Sequence, residues 1–218
     1  MDIKSAKLEV LAGCRAMVDK GLTVGTAGNI SMRADAEGVF VITPTSMDYS
    51  LLTPDDLVVV DYDGKIVSGK RKPSIEVSMH RLILLNRPDV QAVVHTHSLY
   101  ATAFASSKEA TFLPAFAIEV ISYLGGEIAI AEFAPPGSLE LAEATVKALG
   151  TNAGVLMRNH GAIGVGKTMR DALTAAEILE KSCQIAFFSR IMGGLLDLPA
   201  EFVASAKQKS LEKRGVRR

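Results

Sequence analysis

The sequence is short of the features that would place it outside ordinary soluble chemistry. It has only two cysteines in 218 residues, Cys14 and Cys183, far apart and each inside a helix-like apolar pattern. Neither belongs to a CxxC pair, so both are expected as reduced core thiols rather than as a disulfide or a metal knuckle. Net charge is missing too: 24 Lys plus Arg balance 24 Asp plus Glu, which leaves no global field to draw nucleic acid or a membrane surface. No uninterrupted apolar run is long enough to span a bilayer. The opening "MDIKSAKLEV" lacks the basic, apolar and small-residue zones of a signal peptide. Internal repeats, low-complexity linkers and composition shifts are also lacking. The expectation is one cytoplasmic domain over residues 1–218, with 48% hydrophobic residues supplying a large core.

What is present reads as alternating strands and helices. Leu8, Leu11, Cys14, Met17 and Val18 recur at helical spacing over 3–20, and Gly21 stops the pattern. "GVFVITPT" reads as a strand entering a Pro turn, and "LVVVDYDGKIVSG" as two strands joined at Asp63-Gly64. Ile75, Met79, Leu82 and Ile83 predict a helix up to Asn86, ended by Arg87-Pro88-Asp89. A β-branched run over 90–97 follows, then a helix over 98–106 beginning at Ser98. "EIAIAEF" is strand-like, Ser138 is placed to cap the helix of "LELAEATVKAL", and "GVLMRNHG" is a strand ending at His160-Gly161. A long helix covers about 170–191. From about residue 206 the chain turns basic and is expected as a frayed, solvated, mobile tail. Hairpins interrupt the alternation, so the class is α/β with a mixed or antiparallel sheet.

The chain holds only four histidines. On a strand, side chains i and i+2 point the same way, so His95 and His97 of "VVHTHS" share a face and can converge on one ion. Taken alone, the pair is equally compatible with two core histidines bonded to backbone carbonyls. His160 adds a third imidazole at the end of a second strand, with the small Gly161 leaving room beside it. Three neutral imidazoles match the donor set of open catalytic zinc sites. His80, on the 75–86 helix, reads as a partly buried core or surface residue. Glu76 opens that helix and is a candidate ligand or base, although a first-turn glutamate also suits the helix dipole. "GTAGNIS" over 25–31 and "TPTS" over 43–46 offer backbone N–H groups and hydroxyls to an anion, yet each by itself is an ordinary turn.

Together the stretches "GLTVGTAGNIS", "VITPTS", "KPSIEVSMH", "AVVHTHS", "LMRNHGAIGVG" and "DALTAAEILEKSCQIA" resemble the class II aldolase and adducin-head family. They fall in one order over most of the chain, and the branch they most resemble cleaves L-fuculose 1-phosphate. The resemblance implies a three-layer α/β/α sandwich around a mixed, mostly antiparallel sheet. It also implies a homotetramer with active sites between neighbouring subunits. By position, His95, His97 and His160 would bind Zn2+ (another divalent transition metal being compatible), with Glu76 as a further ligand in the absence of substrate and as the acid and base. Gly28, Asn29, Thr45, Ser46 and Ser74 would bind the phosphate of a phosphorylated sugar.

The implied reaction splits a ketose 1-phosphate into dihydroxyacetone phosphate and a small aldehyde through a metal-stabilised enediolate. Ile75 follows Ser74 where the fuculose enzymes commonly carry a second serine. The tail beyond residue 190 has no tyrosine where they use one from a neighbouring subunit. Tyr123, near Glu119 in "PAFAIEVISYLGG", is the candidate donor to the leaving aldehyde's oxygen, with a core aromatic role at least as compatible. The family also holds sugar-phosphate epimerases, which usually carry Asp at the Glu76 position, together with dehydratases and decarboxylases. Its adducin head is a non-catalytic oligomeric module that lacks the metal histidines.

Overall fold

The computed structural model describes residues 1–34 and 38–216. Nine strands form one sheet, β1 (Asn29–Ala34), β2 (Val39–Ile42), β3 (Val58–Asp61), β4 (Ile66–Ser68), β5 (Ala92–Thr96), β6 (Phe112–Leu113), β7 (Ile128–Ala131), β8 (Gly154–Met157) and β9 (Gly161–Gly166). Their order is β4-β3-β2-β1-β5-β9-β8-β7-β6. Every neighbouring pair is antiparallel except β7 with β8. The helices are α1 (Ile3–Asp19), α2 (Val77–Asn86), α3 (Leu99–Ala105), α4 (Leu139–Leu149), α5 (Met169–Ile191) and α6 (Ala200–Arg214). This is the mixed, mostly antiparallel sheet between helical layers that the sequence implied.

The period-2 rule divides the central strands between two cores. Phe40, Ile42, Val58, Val60 and Val93 meet Met79, Ile83 and Leu84 of α2. Their neighbours Val39, Val41, Val59, Ala92 and Val94 join Val10, Cys14 and Met17 of α1 and Met169, Ala172 and Ala176 of α5. Both cysteines are buried free thiols, as expected. Helix starts follow local chemistry: Asp2, Ser138 and Thr168 accept from the backbone N–H groups of Ser5, Leu141 and Asp171. Ser98 precedes α3 but makes no side-chain cap. Glu180 of α5 replaces it, accepting from the N–H groups of Tyr100 at 2.9 Å and Ala101 at 2.8 Å.

Three readings are corrected here. The basic run from 206 is no frayed tail up to Arg214, because it lies in α6. There Ser210 and Leu211 are buried, Ser210 Oγ donates to Ser122 O at 3.1 Å, and Arg214 Nη1 donates to Thr151 O at 2.7 Å. The strand predicted through His160 stops at Met157; residues 158–160 turn, with Asn159 at a positive φ of 53°, and β9 begins at Gly161. The segment from Asn29, read as loop, becomes strand β1 after a turn.

No helix among the described residues is long and apolar enough to cross a membrane. The α3 start gives a direct test. Glu180→Ala removes a charged cap from two orphan N–H groups and should lower stability by about 1 kcal/mol, measured as a shift in the urea midpoint at unchanged slope.

Candidate metal centre and active site

The site grows out of the β1–β5 register. Asn29 pairs with His95 and Ser31 with Val93, so Asn29, Ser31, Val93 and His95 share one face of the sheet. That face looks toward α2, which carries Glu76 at its N-cap position and His80 one turn on. Gly28 makes the approach possible: its φ is +75°, and a Cβ there would lie 2.5 Å from the His95 carbonyl oxygen. Gly161 has the same necessity, since a Cβ would strike the Thr96 carbonyl beside the ring of His95. The room expected next to His160 is therefore used by backbone.

The structure brings His95, His97 and His160 together. Their ring centroids are 4.8, 4.9 and 4.9 Å apart, with the planes tilted 64–87° to one another. One ligand nitrogen from each lies within 4.8 Å of the others. His95 is fully buried; its Nδ1–H donates to Ala162 O at 3.0 Å, which leaves the Nε2 lone pair pointing inward. That nitrogen meets His97 Nε2 at 3.0 Å and Glu76 Oε2 at 3.2 Å. Glu76 Oε1 lies 3.3 Å from His160 Nε2 and is buried without a hydrogen-bond partner.

Lone pairs facing lone pairs repel, and a buried carboxylate oxygen without a donor is costly. A cation among these atoms turns both penalties into attraction. Burial pushes His97 and His160 down to about 4, and a positive charge on His95 would act in the same direction, so both offer neutral imidazoles. Burial would push the Glu76 carboxyl up; His95, the Asn29 amide and His160 outweigh it and hold it well below the usual carboxylate range. The donor set fits a divalent ion with an open position.

Behind Glu76 stands a buried relay that the sequence reading missed. Asn29 Nδ2 donates to Glu76 Oε2 at 2.8 Å, and Asn29 Oδ1 accepts from His80 Nε2 at 2.5 Å. Ser31 Oγ closes the chain on His80 Nδ1 at 2.6 Å. His80 is fully buried, not partly exposed, and desolvation with the charge of His95 pushes it down to about 3. As a neutral ring with both nitrogens engaged, it fixes which end of the Asn29 amide faces Glu76. The signal was available: Glu76 and His80 are four apart, one helical turn. Tyr49 was also missed; its hydroxyl donates to Gly28 O at 2.5 Å and holds the turn.

The polar loops assemble next to this relay. Ser74 N–H donates to Thr43 O at 3.0 Å and Thr45 N–H to Lys72 O at 3.1 Å, which ties "TPTS" to "KPS". A cleft of about 250 Å³ results, walled by Gly28, Asn29, Thr45, Ser46 and Ser74 and reaching Glu76, His97 and His160. Tyr123 does not join it. It sits in a π-helical turn (Val120–Leu124), with Lys213 of α6 6.0 Å from its ring centre, and lines a cleft that also holds Val90 and Gly166. Those residues mark the opposite end of β5 and β9 from the histidines. The sequence could not foresee this, because the direction of that turn is set by packing under α6.

Three converging imidazoles and a buried carboxylate beside a hydroxyl-walled cleft form a site that could hold a metal ion. The family profile described as "Class II Aldolase and Adducin N-terminal domain" matches residues 8–187. A 5-deoxy-D-ribulose 1-phosphate aldolase of Bacillus thuringiensis serovar kurstaki is 33% identical over 209 residues, covering 96% of this chain and 97% of its own. An L-fuculose phosphate aldolase of Methanococcus maripaludis is 35% identical, covering 82% and 94%. A solved L-fuculose 1-phosphate aldolase superposes with a TM-score of 0.89 at 32% identity, covering 94% and 95%. The chain belongs to the class II aldolase and adducin N-terminal domain family, as an aldehyde-lyase of the aldolase type.

One divalent ion per chain should be found by elemental analysis of purified protein. His95→Ala should weaken its binding at least tenfold in a competition titration with a chelator dye, on the scale that disturbed metal ligation produces.

Proposed function

We propose that this protein is a zinc-dependent aldolase that cleaves a ketose 1-phosphate, L-fuculose 1-phosphate or a related deoxy-ketose phosphate, to dihydroxyacetone phosphate and a small aldehyde. One observation carries the reading: the buried, unpartnered Oε1 of Glu76 beside three converging imidazoles, at the end of a hydroxyl-walled cleft. His95, His97 and His160 would hold the ion, with Glu76 as a further ligand before substrate arrives. Bound there, zinc supplies Lewis acidity toward ketose oxygens that gain negative charge.

The protein's own groups do the rest. Ser74, Thr45, Ser46, the Gly28 backbone and the free N–H of Asn29 hold the phosphate, which fixes the ketose carbons relative to Glu76. As the C3–C4 bond breaks, its electrons move toward the C2 oxygen, and the C4 hydroxyl passes its proton to the ionised Glu76 as it becomes the aldehyde. Glu76, carrying a proton, delivers it to C3 and completes dihydroxyacetone phosphate; in the reverse direction it removes that proton. Its placement rests on Asn29, which is held in turn by His80. Tyr123 lies at the far end of its own chain's sheet. In the homotetramer we infer from the resemblance, with sites at subunit boundaries, it can reach the leaving aldehyde's oxygen only in a neighbour's site.

A retro-aldol assay with L-fuculose and 5-deoxyribulose 1-phosphates, coupled to dihydroxyacetone phosphate detection, tests the reading. Turnover is expected on at least one and should vanish with chelator; release of carbon dioxide from a sugar-acid phosphate instead would overturn it. Glu76→Gln should lower kcat by about 10²–10⁴ with KM little changed. Ser74→Ala should mainly raise KM, by about tenfold, as expected for one lost hydrogen bond to a charged group.

A further inference from the structure

A second cleft, of about 370 Å³, opens at the other end of the central sheet, where β5 begins and β9 ends. Val90 and His97 are seven residues apart along an extended chain, so this cleft lies roughly 20 Å from the histidines. Its walls carry five cations, Arg87, Lys167, Arg170, Lys213 and Arg214, against two carboxylates, Asp89 and Asp171. Arg87 is already spent. It donates to both oxygens of Asp89 at 2.8 and 2.7 Å, and its Nη1 to the carbonyls of Gly150 and Asn152, both at 2.8 Å. Four cations then face one remaining carboxylate.

Arg214 shows what this excess leaves undone. Its Nη1 donates to Thr151 O, but Nε and Nη2 are shut off from solvent with no acceptor. Burial and the neighbouring Arg87 push its guanidinium down to about 10, against the weaker pull of Asp89. Buried donors are almost always satisfied in a folded protein, and each orphan is destabilising. Lys167, Arg170 and Lys213 have no carboxylate partner among the described residues either. The excess of donors over acceptors has one chemical complement, a small anion with several oxygens.

The local sequence needs one distinction. Residues 161–168, "GAIGVGKT", spell the G-x-x-x-x-G-K-[ST] pattern of a phosphate loop. Here Gly161–Gly166 is strand β9, paired on both sides with β5 and β8, so its backbone N–H groups belong to the sheet rather than to a phosphate cradle. Val165 and Gly166 border the cleft, and Lys167, just past the strand, is the one charged side chain of this stretch that lines it. The site is therefore built from side chains of three segments: the start of α5, the end of α6 and the β9–α5 junction.

We propose that this cleft is a second, non-catalytic site for a small phosphorylated anion, separate from the phosphate grip around Ser74. Equilibrium dialysis of labelled inorganic phosphate against the intact purified protein should find two sites per chain. Ser74→Ala should weaken one of them. Lys167→Gln combined with Arg170→Gln, both exposed side chains, should weaken the other at least tenfold. If those variants leave both sites unchanged, or if Ser74→Ala abolishes all binding, the proposal is overturned. If Ser74→Ala changes nothing while the Lys167 and Arg170 changes remove a site, the second site stands and the assigned catalytic phosphate grip fails instead.

Discussion

The close antiparallel approach of β1 and β5 is the constraint on which the site depends. At Gly28 the backbone passes where no side chain could stand, and the strands then pair Asn29 with His95 and Ser31 with Val93. A one-residue slip would send Asn29 and Ser31 to the α1 face and separate them from α2. The register therefore determines whether Glu76 has a donor, whether His80 has two partners, and whether His95 looks into the cluster. Tyr49 secures it from below by donating to Gly28 O.

Given that register, the electrostatics follow. Four electron-pair donors, three imidazoles and a carboxylate, converge at the end of the cleft. Such an arrangement raises the energy of the chain alone and lowers it once a cation is present, so metal binding and local stability are one quantity. His80 plays the opposite part. Neutral, buried and fully engaged, it adds no charge and removes the freedom of Asn29 to turn its amide.

Much of this could be read from residues. The period of two in "VVHTHS" placed His95 and His97 on one face, and the break at Arg87-Pro88-Asp89 set the end of α2. What escaped notice has physical causes. β9 carries Gly161, Ala162, Gly164 and Gly166, too little side chain for any alternation to show, because α5 packs directly on its backbone. Helix α6 is mostly polar and docks through few residues, Ser210 and Leu211 among them, so its pattern resembles a solvated tail. The role of His80 depends on which strand runs beneath α2, which helix periodicity alone does not contain. Which end of the sheet Tyr123 packs on is hidden for the same reason: proximity in sequence to a functional segment says nothing about where a turn packs.

The loops that wall the cleft are held as firmly as the sheet beneath them. Ser46 holds a positive φ of 53°, a conformation that costs a non-glycine residue on the order of 1–3 kcal/mol. It is held by cross-links outside itself, Thr45 N–H to Lys72 O and Ser74 N–H to Thr43 O, while Pro44 and Pro73 bridge the two segments. Ile75 offers no hydroxyl, so a phosphate bound as proposed would meet fewer donors, and their positions would matter more. Its carbonyl is instead covered by Gly137, where a Cβ would lie 2.9 Å away, which draws Pro136 into the wall of the cleft. Rigid backbone fixes the loops at one end of the cleft, and the paired β1 and β5 fix the histidines at the other. On the proposed reading, a substrate bridging the two would meet a distance set by main chain rather than by side-chain adjustment, which would present its carbon to Glu76 without a search.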